Sequence, residues 1–104
     1  LEPDNVIYMY NLSLVYKSTR QDDLYQKLYN KILRFEPKTA QDYIDLSTIY
    51  YDRGQSDIAK SILDNGIRKM PEMKALYSAK LRLLETLGDK ENAKKLKELM
   101  DKIF

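Results

Sequence analysis

The sequence predicts an all-α chain of three consecutive helix pairs, and three observations carry that expectation. Only three prolines occur, Pro3, Pro37 and Pro71, and both intervals between them are 34 residues. Other residues return at the same interval: Leu12 with Leu46, Ser13 with Ser47, Tyr16 with Tyr50, Tyr43 with Tyr77, Gly54 with Gly88, and Ala59 with Ala93. Between the prolines, apolar residues recur at helical steps, and no alternating strand pattern with hairpin signals competes with them. A period kept this strictly means one structural unit copied three times.

The elements follow in order. In the first unit, VIYMYNLSLVYKS (6–18) and DDLYQKLYNKILRF (22–35) each read as a helix, the second carrying Leu24, Leu28, Ile32 and Phe35 on helical spacing. In the second unit the helices are AQDYIDLSTIYYD (40–52) and SDIAKSILDNGIRK (56–69). In the third they are KALYSAKLRLLETL (74–87) and KENAKKLKELMDKIF (90–104). Gly54 and Gly88 stand where a first helix must stop, since glycine takes the left-handed conformation that ends helices. Asp22, Ser56 and Asp89 are expected N-caps of the second helices, and Thr39 with Asp42 forms a capping-box start. Each proline ends a second helix and drives the residue before it toward an extended shape.

Composition narrows the chemistry. The 104 residues, 43% hydrophobic, suit one domain with a buried core. No apolar run approaches the roughly 18–20 residues of a membrane span, so no membrane insertion is expected. The chain has no Cys and no His, which excludes disulfides, thiolate nucleophiles, the usual zinc sites and imidazole acid–base catalysis. Net charge is +2; residues 1–52 carry 6 basic and 8 acidic side chains, and residues 53–104 carry 12 and 8. That excess is spread along helix faces, which argues against a nucleic-acid partner. The acidic pairs Asp22–Asp23 and Asp42–Asp45 read as capping and solvated positions. No glycine-rich phosphate loop is present, so neither enzymatic activity nor a cofactor is expected.

A 34-residue helix–turn–helix unit with this punctuation resembles the tetratricopeptide repeat (TPR) family. The second unit, 40–73, matches the family pattern best, with Tyr43, Leu46, Ser47, Tyr50, Gly54, Ala59, Leu63, Gly66 and Pro71. The first, 6–39, supplies Met9, Leu12, Ser13, Tyr16, Tyr29 and Pro37. It departs at the turn, where Arg20 replaces Gly, and at two small slots, where Tyr25 and Ile32 replace Ala. The bulk of Tyr25 is expected to hold its two helices apart. The third unit, 74–104, keeps Tyr77, Gly88 and Ala93 but places Lys80 and Leu81 where Leu and a small residue belong. The resemblance implies a right-handed α-solenoid of stacked antiparallel helix pairs. The small residues Ser13, Ser47, Ala59, Gly66 and Ala93 stand where helix axes approach closely.

In the repeat frame, residues 1–5 read as the tail of a preceding unit, and the first helix, apolar around most of its circumference, reads as one buried on two sides. The last helix carries Ala93, Leu96, Leu99, Met100, Ile103 and Phe104 on one stripe. Lys97 takes a slot where the other units have Tyr29 and Leu63, as a terminal cap requires. The chain is therefore expected to be the C-terminal part of a longer repeat protein.

The resemblance places the first helix of each pair on a concave side. Tyr10, Asn11 and Leu14 of the first unit, Ile44, Asp45, Thr48 and Tyr51 of the second, and Ser78 and Arg82 of the third are the groove residues it implies. The expected partner is a protein or peptide segment, with apolar anchors for affinity and polar groups for register. Family members that clamp the terminal carboxylate of heat-shock chaperones use Lys, Asn and Arg at positions here occupied by Tyr10, Leu14, Asp45, Ala75 and Ala79. None matches, so that subfunction is not expected. Two further readings stay open: self-association through the exposed first helix, or an arm of a protein whose catalytic domain lies upstream.

Overall fold

A computed structural model describes residues 5–104. Residues 1–4, with Pro3 and most of the segment assigned to a preceding unit, lie outside the described residues. Six helices follow in order with no strand among the described residues: α1 (Val6–Ser18), α2 (Asp22–Leu33), α3 (Ala40–Asp52), α4 (Ser56–Lys69), α5 (Lys74–Thr86) and α6 (Lys90–Ile103). The fold class is all-α, and its elements begin where the sequence places them; α2, α5 and α6 stop one or two residues earlier than expected.

The same turn closes all three pairs. At 19–21, 53–55 and 87–89 the middle residue is left-handed: Arg20 at φ 59°, Gly54 at 80° and Gly88 at 76°. The next amide reaches back across the helix end, from Gln21 to the Tyr16 carbonyl, from Gln55 to Tyr50 and from Asp89 to Leu84, each at 2.9 Å. A second bond, spanning three residues, runs from the amide of the left-handed residue itself to the Lys17, Tyr51 or Glu85 carbonyl at 3.2, 2.9 and 3.1 Å. This pair of bonds is the Schellman arrangement that satisfies carbonyls left open at a helix C-terminus. It recurs at the 34-residue interval, so the period in the sequence is a period in backbone geometry. Arg20 adopts the conformation without glycine's freedom, at a strain of about 1 kcal/mol.

The sequence puts the caps of α2 and α4 at Asp22 and Ser56. The structure places them one residue earlier, at Gln21 and Gln55, neither making a side-chain cap bond. The turn decides this. The residue after the left-handed position already donates its amide backward and offers its carbonyl to the first helical bond, from Tyr25 at 2.9 Å and from Ala59 at 3.0 Å. Asp22, Asp23 and Asp57 instead fill the first turns, where a carboxylate meets the positive end of the helix dipole. Asp89 does cap α6, accepting from the Asn92 amide at 3.2 Å. The Thr39–Asp42 capping box of α3 is complete, with reciprocal bonds of 3.1 and 3.2 Å.

The chain divides into two compact units, one holding α1 and α2 and the other α3 to α6. In the first, Val6, Met9 and Ser13 of α1 and Ile32 of α2 are buried. Leu14 and Val15, by contrast, are 42% and 52% exposed, so α1 is not covered all round. Tyr25 does not prevent its helices from packing: it is half-buried, stacked on Tyr29 at 5.8 Å, with the Lys17 ammonium 5.9 Å from its ring centre.

In the second unit α3 packs on α4 and α5, α4 on α5, and α5 on α6. Tyr43, Ala59, Leu63, Leu76 and Leu83 form the core between α3, α4 and α5, while Tyr77, Leu84, Ala93 and Leu96 form a second cluster between α5 and α6. The small residues do what close approach requires. Ala59 is fully buried, and the Ser47 hydroxyl donates to its carbonyl at 3.1 Å, tying α3 to α4. A Cβ on Gly66 would stand 3.0 Å from Cγ of Tyr43 and 3.2 Å from a methyl of Leu76. Lys80, in a slot that elsewhere holds Leu, reaches across to Asp64 of α4 at 2.6 Å, and Leu81 packs on the second cluster.

The α6 stripe is only partly covered. Ala93 and Leu96 are buried, whereas Leu99, Ile103 and Phe104 remain nearly half exposed. The Phe104 ring meets Tyr77 edge-on at 5.1 Å, and the Tyr77 hydroxyl donates to the Pro71 carbonyl at 2.7 Å. Lys97 is exposed and lies 3.9 Å from Glu85.

Two substitutions check this packing. Arg20→Gly is expected to raise unfolding free energy by about 1 kcal/mol by relieving the left-handed strain, read from the urea midpoint. Gly66→Ala should lower it by about 1 kcal/mol, since overpacking against a fixed Tyr43 stem costs about 2 kcal/mol and helix propensity returns only about 1.

Candidate functional site

Ile44, Thr48 and Tyr51 lie on one face of α3 at steps of four and three residues; Ala79, Arg82, Leu83 and Thr86 repeat that kind of spacing on α5. The close packing of α3 and α4 against α5 sets these two rows around one open hollow of about 250 Å³, with Ser47 and Leu63 completing its lining. Leu63, 1% exposed, and Leu83, 8% exposed, supply apolar surface continuous with the core, and Ile44 and Ala79 pack against that same core. Tyr51 is 39% exposed, and Arg82 is exposed.

The polar groups of this hollow divide into committed and free. The Thr48 hydroxyl donates to the Ile44 carbonyl at 2.9 Å, Thr86 to the Arg82 carbonyl at 2.8 Å, and Ser47 to Ala59 across the α3–α4 contact. Those donors are satisfied within the fold. The Arg82 guanidinium and the Tyr51 hydroxyl have no partner among the described residues, and Arg82 is the single ionised side chain lining the hollow. Glu85, one turn further along α5, is engaged by Lys97 instead.

Of the residues the sequence singles out, the structure gathers Ile44, Thr48, Tyr51 and Arg82 around this hollow. Asp45 and Ser78 do not line it: Asp45 accepts a hydrogen bond from the Gln41 amide at 2.8 Å, and Ser78 is half-buried on α5. Tyr10, Asn11 and Leu14 lie on α1 in the other unit, where Asn11 and Leu14 are exposed and Tyr10 is half-buried. Sequence reasoning missed Thr86 and Leu83. Continuing the row from Ala79 by four and seven residues finds both. Ser47 and Leu63 were assigned to packing alone, yet each also presents an atom to the hollow.

A second hollow, of about 390 Å³, lies among α4, α5 and α6, lined by Lys60, Asp64, Lys80, Asn92 and Lys95 over Leu84, Leu96 and Leu99. Its charges are largely matched. Lys80 holds Asp64, and Lys95 lies 3.3 Å from Glu91. Asp89 nearby has its carboxyl held below the ordinary aspartate range, first by the Asn92 side chain at 2.8 Å, then by the Asn92 backbone amide; desolvation opposes them, and Lys60 and Lys95 add lesser lowering effects. Among the described residues no cluster of three acidic or other metal-ligating side chains occurs, and no helix is long and apolar enough to cross a membrane.

A carboxyl depressed in the folded chain stabilises it fully above the ordinary aspartate range, and that contribution disappears as pH falls through the lowered value. Melting temperatures between pH 7 and pH 2 should therefore drop more steeply for the native chain than for Asp89→Asn, whose cap does not titrate.

No family model matches the chain, and no curated protein or solved structure is significantly similar to it.

Proposed function

We propose that the chain is a non-catalytic binding scaffold of the tetratricopeptide-repeat kind, which holds a peptide segment of another protein in the hollow between α3 and α5. What carries the reading is that hollow's character: an apolar floor joined to the core, flanked by a guanidinium and a phenol that no group among the described residues engages. Binding sites of this kind combine apolar anchoring with a few placed polar groups. The threefold recurrence of one Schellman turn at a 34-residue interval supports a right-handed solenoid of stacked pairs as the architecture that presents it. On this reading Tyr10, Asn11 and Leu14 of the first unit stay candidate partner-binding residues, as do Asp45 and Ser78, which lie outside the lining of the hollow. The partner is a protein or peptide and not a nucleic acid, and neither cofactor nor metal takes part.

A second reading has its own observation. Leu14 and Val15, adjacent on α1, are 42% and 52% exposed, apolar side chains through which copies could associate. An upstream catalytic domain would leave either reading of this segment unchanged.

Panning a random peptide library on the whole chain tests the first reading. Selected peptides should bind the native chain saturably and lose at least tenfold in affinity to Thr48→Arg, which fills the hollow from an exposed position and should leave the melting temperature within about 2 °C. Equal binding to Thr48→Arg contradicts it. Light scattering of the same samples over a dilution series should give a monomer; a mass that rises with concentration favours association.

A further inference from the structure

We infer that the segment bound between α3 and α5 carries an acidic side chain beside its apolar anchor, and that Arg82 selects for that pairing. The inference rests on the groove reading above and adds the chemistry of the occupant. Its basis is charge complementarity. Among the described residues the hollow is lined by one cation and no anion, and its floor is apolar.

Three observations make Arg82 a selector and not a solvated surface charge. First, its guanidinium is free among the described residues, although Glu85 stands three positions along the same helix and could have taken it. Glu85 turns to Lys97 instead, at 3.9 Å. Second, the hydroxyls beside it, those of Thr48 and Thr86, donate to their own helix carbonyls at 2.9 and 2.8 Å, so they compete for no acceptor that a ligand brings. A carboxylate entering the hollow thus finds the guanidinium and the Tyr51 hydroxyl as the available donors. Third, the apolar floor around Leu83 lies in the same hollow, so an aliphatic side chain seated there brings a neighbouring carboxylate within reach of α5. Arginine offers a planar fork that matches a carboxylate with two parallel hydrogen bonds, an arrangement lysine cannot give. Asp45, the nearest acidic residue to Ile44 in sequence, is outside this lining and accepts from the Gln41 side-chain amide at 2.8 Å.

The surface of this unit holds other cations, but they do not compete in kind. Lys80 and Lys95 each have a carboxylate within 3.3 Å, and the hollow they line already contains Asp64.

The test is the sequence content of peptides selected from a capped, internal random library, in which no free carboxy terminus can supply the charge. The native chain should enrich Asp or Glu within two positions of Leu, Ile, Met or Phe. Arg82→Glu should reverse the preference toward Lys or Arg. For one selected peptide, exchanging its acidic residue for the amide should weaken binding about fivefold to the native chain and leave binding to Arg82→Gln unchanged, the size expected of a partly exposed charge pair. Circular dichroism should show equal melting for all three chains, Arg82 being exposed. If no peptide is enriched, the groove reading itself fails. If peptides are enriched and blocked by Thr48→Arg but carry no acidic bias, or keep it in Arg82→Glu, the groove reading stands and the role given to Arg82 is wrong.

Discussion

The approach of three helices at Gly66 is the constraint on which the second unit depends. There α4 has no side chain, and the Tyr43 stem of α3 and a Leu76 methyl of α5 fill the space a Cβ would need. Core density leaves no slack for an added methylene, so helix separations in such a place are fixed by which side chain is missing. Those separations in turn place Ile44, Thr48 and Tyr51 opposite Ala79, Arg82 and Thr86. The hollow is therefore a consequence of core packing, with its polar groups mounted on helices and not on loops, which favours a preformed site.

The turns impose a different constraint, one of backbone rather than volume. A left-handed residue and two backward hydrogen bonds reverse the chain at each pair, whatever the side chain at that residue. Arg20 makes the point: the geometry persists where glycine has been lost, because the helices on either side demand it. Helix capping then follows the turn. Gln21 and Gln55 cap without using their side chains, and only Asp89 adds a carboxylate to the same backbone pattern.

Helix starts were legible to the residue because periodicity, glycine and proline all act locally on the backbone. The caps at Asp22 and Ser56 were misplaced by one position because side-chain preference pointed there while the Schellman bonds had already set the register. Lys80 looked like a break in the repeat; only the fold reveals Asp64 across from it at 2.6 Å. At the candidate site the family resemblance implied a row that includes Ile44, Thr48, Tyr51 and Arg82. It held no information on which donors the fold would satisfy. That Thr48 and Thr86 bond back to their own helices, and that Glu85 goes to Lys97 and not Arg82, are facts of three-dimensional competition among neighbours. The exposure of Val15 was likewise unreadable, since a helix apolar all round does not declare which of its faces will be covered.

The close approach at Gly66 can be measured without altering the chain. A nuclear Overhauser spectrum of the native protein should show strong cross-peaks from the Gly66 α-protons to the Tyr43 ring and to a Leu76 methyl, reporting α3, α4 and α5 in one contact. Cross-peaks from Gly66 to its own helix alone would contradict the account, because the two walls of the hollow would then have no common support.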